Sequence, residues 1–100
     1  MSALVLIQHP VGRGPFSDFD SWKRAFDSDP VGRAEHRVRR HSIYRSPEAD
    51  YVVISLEFSS LDEASAFKVD LDSALADVWR NMGVEGSPAR VLEEAETVAY

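Results

Sequence analysis

The chain has 100 residues, of which 44% are hydrophobic and 28% charged, and its formal net charge is −6. This length suits one domain, so we expect residues 1–100 to form a single unit. The negative charge argues against nucleic acid or an anionic membrane as a partner, because both need a positive surface. The absence of cysteine excludes disulfides, thiolate metal sites and cysteine nucleophiles.

Localisation follows from the same features. The early apolar run from Ala3 to Ile7 is shorter than the hydrophobic core of a signal peptide or a membrane span. A chain without cysteine also agrees with a reducing compartment. We therefore predict a cytoplasmic protein.

The first elements are a strand and a helix. Residues 3–9 are apolar on both faces at first, which predicts a central strand that Pro10 ends. Ser17 is a suitable N-cap for a following helix. One face of that helix carries three aromatic residues, Phe19, Trp22 and Phe26. Asp29 precedes a proline and should end the helix.

Two further strands are predicted next. Residues 37–45 form the less regular of the two. The clearest strand is Tyr51–Phe58, where every even position is apolar: Val52, Ile54, Leu56 and Phe58. The turn-rich residues 46–50 between them predict an antiparallel hairpin.

A helical region and a last strand complete the chain. Ser60 and Glu63 form a capping-box pattern at the helix start. We expect a break at residues 70–72, a second helical segment that stops at Gly83, and a strand over residues 89–100. The order β-α-β-β-α-β predicts an α+β, ferredoxin-like fold, with a four-stranded antiparallel sheet and helices on one face.

Helices on one face leave the other face of the sheet uncovered. With Tyr44 paired to Tyr51 in the hairpin, that face carries Tyr, Val, Ser, Arg and Glu side chains. It is too apolar to lie open and too polar for a dry core, so a second copy of the sheet would suit it. Residues 33–45 contain five arginines, and the last strand contains three glutamates. The acidic last strand of one protomer could therefore lie against the basic second strand of the other. Ordinary solvated edges are the alternative, since exposed ion pairs contribute little.

Local strings add a resemblance to a known family. They are Phe19-Asp20-Ser21-Trp22-Lys23 with Phe26-Asp27, Glu57-Phe58 with Glu63-Ala64 and Phe67, Met82-Gly83-Val84, and Tyr100. With the element order, they make the chain resemble the dimeric α/β-barrel superfamily, which includes antibiotic-biosynthesis monooxygenases and stress-responsive barrel proteins. The resemblance implies a homodimer whose sheets close into a barrel, and a pocket between sheet and helices in each protomer.

His9 and His41 are the predicted acid–base residues, since histidine titrates near neutral pH. His9 ends the first strand beside a Gly/Pro loop, and strand parity places His41 beneath the helices. They would orient or deprotonate a phenolic substrate. The alternative, which the sequence itself favours, is a loop histidine and a satisfied histidine at the core edge. His36 lies on the opposite strand face from His41, so we expect no metal site.

The predicted substrate-binding residues are aromatic and apolar: Trp22, Phe26, Ile54, Phe67 and Trp79. Large aromatic residues line pockets for planar ligands, but they pack cores more often. Core packing is therefore the interpretation that the sequence favours for the two tryptophans.

Two functions remain open at this point. The first is a small-molecule-binding barrel that acts as a cofactor-free monooxygenase or cyclase-like enzyme on an aromatic or polyketide-like compound, a substrate class that only the resemblance implies. The second is a non-enzymatic dimeric ligand-binding or stress-related accessory module. The sequence does not decide whether the protein is an enzyme. We expect no cofactor, a homodimer, a small hydrophobic or aromatic ligand, and no nucleic acid or membrane partner.

Overall fold

The computed structural model describes residues 2–12, 18–48, 50–81, 83–84 and 86–100. Its elements are β1 (Ala3–Pro10), α1 (Phe19–Asp27), β2 (Arg40–Arg45), β3 (Tyr51–Phe58), α2 (Leu61–Asn81) and β4 (Ala89–Glu93). The strands form one antiparallel sheet in the order β2-β3-β1-β4. The predicted ferredoxin-like α+β fold is confirmed.

The two central strands supply most of the core. Buried positions alternate along both strands, and the register pairs Val5 with Leu56 and Ile7 with Ile54. Phe58 at the end of β3 packs against Phe67 of α2, with ring centroids 5.5 Å apart. Burial of each large side chain contributes about 1.5–3 kcal/mol, so this face holds both helices on the sheet.

The opposite face of the sheet is partly exposed. Leu4, Leu6 and Val53 are half-buried there, while Tyr44 is 60% and Leu92 44% exposed. The hairpin register differs from the expected one, because Tyr44 pairs with Val53 and not with Tyr51. A shift of two residues preserves the side-chain faces, so the predicted composition of the open face is unchanged.

The start of α1 corrects one expectation. The N-cap is Asp18, whose carboxylate accepts a 2.8 Å hydrogen bond from the backbone N–H of Ser21, and the predicted N-cap Ser17 lies outside the described residues. The Ser21 hydroxyl in turn accepts from the Asp18 backbone N–H, which completes a capping box. A carboxylate at this position also interacts favourably with the helix dipole.

The helix α2 is continuous, so the predicted break at residues 70–72 is wrong. Asp72 does not cap a new segment. Its side chain accepts hydrogen bonds from Lys68, one turn earlier, and from Ser87 in the following loop. The C-terminus agrees with the prediction: Gly83 has φ +78° and donates to Arg80, and Val84 donates to Trp79. Within the described residues, no helix combines the length and apolar character needed to cross a bilayer.

The two edge strands are shorter than predicted. β2 begins at Arg40, and Arg37, where the strand was predicted to begin, adopts a left-handed conformation, with φ +64°, that extended backbone does not contain. β4 ends at Glu93, which pairs with Ala3, the first residue of β1. The Glu94 N–H still donates to the Ser2 carbonyl, and residues 94–100 then continue without strand structure.

Candidate functional site

A cavity of about 310 Å³ lies between the sheet and the two helices. Ligand pockets commonly start near this volume. Its wall comes from the sheet, from α1 and the segment after it, and from α2. The lining residues are Ile7, His9, Trp22, Ala25, Phe26, Ser28, Pro30, Val31, Arg33, Leu56, Phe67, Leu71, Leu75, Val78 and Trp79. The wall is therefore mainly aliphatic and aromatic.

A buried hydrogen bond joins β1 to α1 at this wall. The indole N–H of Trp22 donates to Nε2 of His9 at 2.6 Å. Since an indole N–H can only donate, this His9 nitrogen is unprotonated and the proton lies on Nδ1. Nδ1 lies 3.3 Å from the Pro10 carbonyl, which accepts from it. Both ring nitrogens of His9 are thus engaged.

Burial lowers the pKa of His9, and the hydrogen bond with the Pro10 backbone opposes part of this effect. Burial disfavours the charged imidazolium, so His9 is neutral at pH 7. The neutral form is also the one that can accept from Trp22. The local chemistry is consistent: a satisfied, uncharged imidazole fixes the orientation of a large aromatic side chain at the cavity wall.

The aromatic face of α1 continues across the cavity. Trp22 stacks on Phe26, with ring centroids 5.2 Å apart and planes inclined by 24°. Beyond Phe26, the His41 ring lies edge-on at 5.2 Å. The α1 hydrophobic positions, spaced three and four residues apart, create this row because they share one side of the helix.

The segment between α1 and β2 covers one side of the cavity. Pro30, Val31 and Arg33 form this part of the wall. Its far end is joined to α2, where His36 Nε2 lies 3.0 Å from a carboxylate oxygen of Asp70 and the His36 ring meets the edge of Phe67. Among the residues that the structure describes, no three His, Cys, Asp or Glu side chains cluster as ligands for a metal ion.

Comparison with known proteins gives matches in structure alone, as no family model and no curated protein matches this sequence. Rv0793 from Mycobacterium tuberculosis superposes with a TM-score of 0.68 at 11% identity, covering 99% of this chain and 100% of its own. A variant of SnoaB, a cofactor-independent oxygenase from Streptomyces nogalater, gives 0.65 at 14% identity, with 99% and 98% coverage.

A third structure is a candidate antibiotic biosynthesis monooxygenase from Nitrosomonas europaea, with a TM-score of 0.59 at 14% identity and coverage of 98% and 94%. The chain has the ferredoxin-like fold of these proteins. The resemblance predicted from the element order is therefore confirmed at the level of fold. At such low identities, the role of each residue must be argued from this chain alone.

The structure brings five of the seven predicted site residues to the cavity wall: His9, Trp22, Phe26, Phe67 and Trp79. Ile54 is fully buried in the sheet and packs behind the wall rather than in it. His41 lies on the helix side of the sheet as strand parity predicted, but its side chain is exposed on the far side of Phe26. Whether these residues bind a substrate remains a prediction.

Arg33 is the charged lining residue among those that sequence reasoning missed. It was grouped with the arginines of the predicted sheet edge, yet it lies at the cavity with its guanidinium carbon 3.8 Å from the centroid of the Phe26 ring. A local signal existed, because Asp29-Pro30 followed by Gly32 predicts a turn before Arg33. Arg33 therefore lies at the cavity wall, seven residues before β2 begins.

Proposed function

We propose that this protein binds a small hydrophobic or aromatic molecule in the cavity between its sheet and helices, and that it does so as a homodimer. The observation that carries the proposal is an apolar cavity with Trp22, Phe26 and Trp79 in its wall. A mostly apolar wall with a few polar groups is the composition typical of small-molecule sites.

The wall favours a flat ligand. Trp22 and Phe26 are stacked, and aromatic pairs of this kind add about 0.5–1.5 kcal/mol beyond the area they bury. The hydrogen bond from Trp22 to His9 holds the indole in one orientation, so less side-chain entropy is lost when a ligand binds. A planar ring system would meet a preformed surface here.

The test is a titration with N-phenyl-1-naphthylamine, an uncharged probe that fluoresces in apolar surroundings. Both tryptophans of the chain line the cavity, so bound probe should quench their emission by energy transfer. Ala25→Phe places a ring in the cavity and should abolish saturable binding. The matched control is Ala74→Phe on the exposed side of α2. Equal binding by both variants would refute the cavity as the site.

The homodimer is supported by the face of the sheet that the helices do not cover. Leu4, Leu6, Val53 and Leu92 lie on it in neighbouring strands. The Arg40–Glu57 ion pair, with a 2.7 Å contact, adds a polar patch to the same face. Apolar side chains on a sheet face that no helix covers support an interaction surface there. Sedimentation equilibrium of the purified protein tests the dimer.

A cofactor-free oxygenase or cyclase-like reaction is the enzymatic form of this proposal. Support comes from the fold shared with SnoaB, which is described as a cofactor-independent oxygenase. Without a cofactor, the electrons for oxygen must come from the substrate, which therefore has to lose a proton easily. His9 Nε2 is the basic atom at the wall, but it must release the Trp22 N–H before it can take a proton.

The alternative is a ligand-binding or stress-related accessory module without catalysis. The engagement of both His9 nitrogens favours it, because a general base needs an available lone pair at the reacting atom. Oxygen uptake with anthrone, a tricyclic ketone with an acidic C–H, separates the two. Uptake that Ala25→Phe abolishes supports the enzyme, and saturable binding without uptake supports the module.

A further inference from the structure

We propose that Arg33 recognises an anionic group at the mouth of the cavity, so that the ligand is a hydrophobic molecule carrying one acidic substituent, such as a carboxylate, a sulfonate or a phenolate. This inference rests on the proposed function, because it assumes that the cavity binds a small molecule. It adds the acidic substituent of the ligand, which an apolar wall by itself does not specify.

The first argument is the charge of the wall. Within the described part of the chain, Arg33 is the one lining residue with a permanent charge, since His9 is neutral and the other polar lining side chain is Ser28. The Ser28 hydroxyl already donates to the carbonyl of Ala25 at 2.6 Å. In a mostly apolar pocket, the few polar groups fix the orientation of the ligand and decide its class.

The second argument is that the Arg33 backbone is held in place. Its N–H donates to a carboxylate oxygen of Asp29 at 2.9 Å, and its carbonyl accepts from the Val38 N–H at 3.0 Å. Its guanidinium carbon lies over the Phe26 ring, and the side chain is only 17% exposed. The side-chain entropy that binding normally costs has thus been lost already, and the charge lies partly out of water.

The third argument is that the guanidinium keeps donors for a ligand. Its contact with Asp29 is an ion pair through Nε at 3.3 Å. The carboxylate of Asp29 accepts a hydrogen bond from the Arg33 backbone N–H and not from the guanidinium. Among the described residues, no acceptor receives a hydrogen bond from the guanidinium itself. A guanidinium has five N–H donors and suits bidentate binding of anions that present two oxygens, such as carboxylates and sulfonates. Asp29 neutralises part of the charge, so we expect moderate selectivity.

A matched pair of probes tests this proposal. N-phenyl-1-naphthylamine is neutral, whereas 8-anilino-1-naphthalenesulfonate has the same ring skeleton with one sulfonate added. Arg33→Met should weaken binding of the sulfonate about tenfold more than binding of the neutral probe, as expected for loss of a charge-assisted hydrogen bond. Arg33→Lys should retain only part of the affinity for the sulfonate, because it keeps the charge and loses the paired donors of the guanidinium.

The control is Arg39→Met, which removes the same charge from an exposed position just before β2. It should leave the affinity for both probes unchanged. In the unmodified protein, added salt should weaken binding of the sulfonate and not of the neutral probe, a comparison that needs no variant.

The outcomes separate the two proposals. If the neutral probe binds and the sulfonate binds equally well to Arg33→Met, the anion site is refuted while the binding cavity stands. If Arg39→Met weakens sulfonate binding as much as Arg33→Met, general surface charge explains the effect and the anion site is again refuted. If neither probe binds, the binding cavity and the anion site are both refuted.

Discussion

Replacing His9 with phenylalanine removes both hydrogen bonds of the imidazole, and loss of the buried one from Trp22 should dominate the fall in stability. The substitution leaves the Trp22 N–H without its acceptor, while a phenyl ring fills the volume of the imidazole. Trp22 is 3% and His9 8% exposed, so water does not easily replace the acceptor. An unsatisfied buried donor costs about 1–3 kcal/mol, and we expect unfolding free energy to fall by that amount at pH 7.5.

The pH dependence of this difference has a definite sign. Burial lowers the pKa of His9 in the folded state, so below about pH 6.5 the unfolded chain takes up a proton that the folded chain does not. The wild type therefore loses stability as the pH falls from about 6.5 towards the lowered pKa, and the variant lacks this loss. The difference between them should shrink at pH 5.5 by up to about 1.4 kcal/mol.

Urea unfolding followed by tryptophan fluorescence at pH 7.5, 6.5 and 5.5, at one fixed protein concentration, measures both effects. The indole N–H resonance of Trp22 should also shift upfield in the variant. His41→Phe is the matched control, because its ring is exposed, and it should change stability by less than about 0.5 kcal/mol. A difference between wild type and His9→Phe that stays constant with pH would refute the assignment of a buried, neutral His9.

Three further predictions concern the core and the dimer. Phe58→Ala, at a fully buried position, should cost about 3–5 kcal/mol of unfolding free energy in the same urea assay; a loss below 1 kcal/mol would contradict its place in the core. Leu92→Glu should convert a dimer to a monomer in sedimentation without loss of helical circular dichroism, and an unchanged dimer would exclude the open face as the interface. Glu94→Lys combined with Glu96→Lys should weaken the dimer most at low salt if acidic residues near β4 meet a basic β2 of the partner. Glu94 accepts hydrogen bonds from Thr97 and Ser2, which lower its pKa, so an unchanged association constant would show that its charge serves contacts within one chain.

Local sequence patterns predicted the elements that a short window of residues determines. The alternation in Tyr51–Phe58 has period two, so it predicts both a strand and the face that is buried, whatever the rest of the chain does. The spacing of Phe19, Trp22 and Phe26 works in the same way for α1. The register of the hairpin was predicted less accurately, because a shift of two residues leaves the pattern of faces unchanged.

Element boundaries depended on contacts that no local window contains. The predicted break in α2 relied on Asp72 as a cap, but Ser87, fifteen residues further on, donates to that carboxylate. β4 was predicted to extend to Tyr100 from its own residues. Its neighbour β1 begins at Ala3, which pairs with Glu93, so β4 has no strand to pair with beyond that point. His41 lay on the correct face and still missed the cavity, because Phe26 of α1 stands between them.

The sequence by itself determined the β-α-β-β-α-β order, the central place of β1, the buried face of β3, and the aromatic side of α1. These features follow from side-chain periodicity, which is a property of the backbone geometry. The tertiary structure decided that an open cavity lies under the helices, that His9 and Trp22 satisfy each other, and that Arg33 reaches the cavity and not the sheet edge. Each of these depends on two elements meeting in space, and periodicity along one element carries no information about its neighbour.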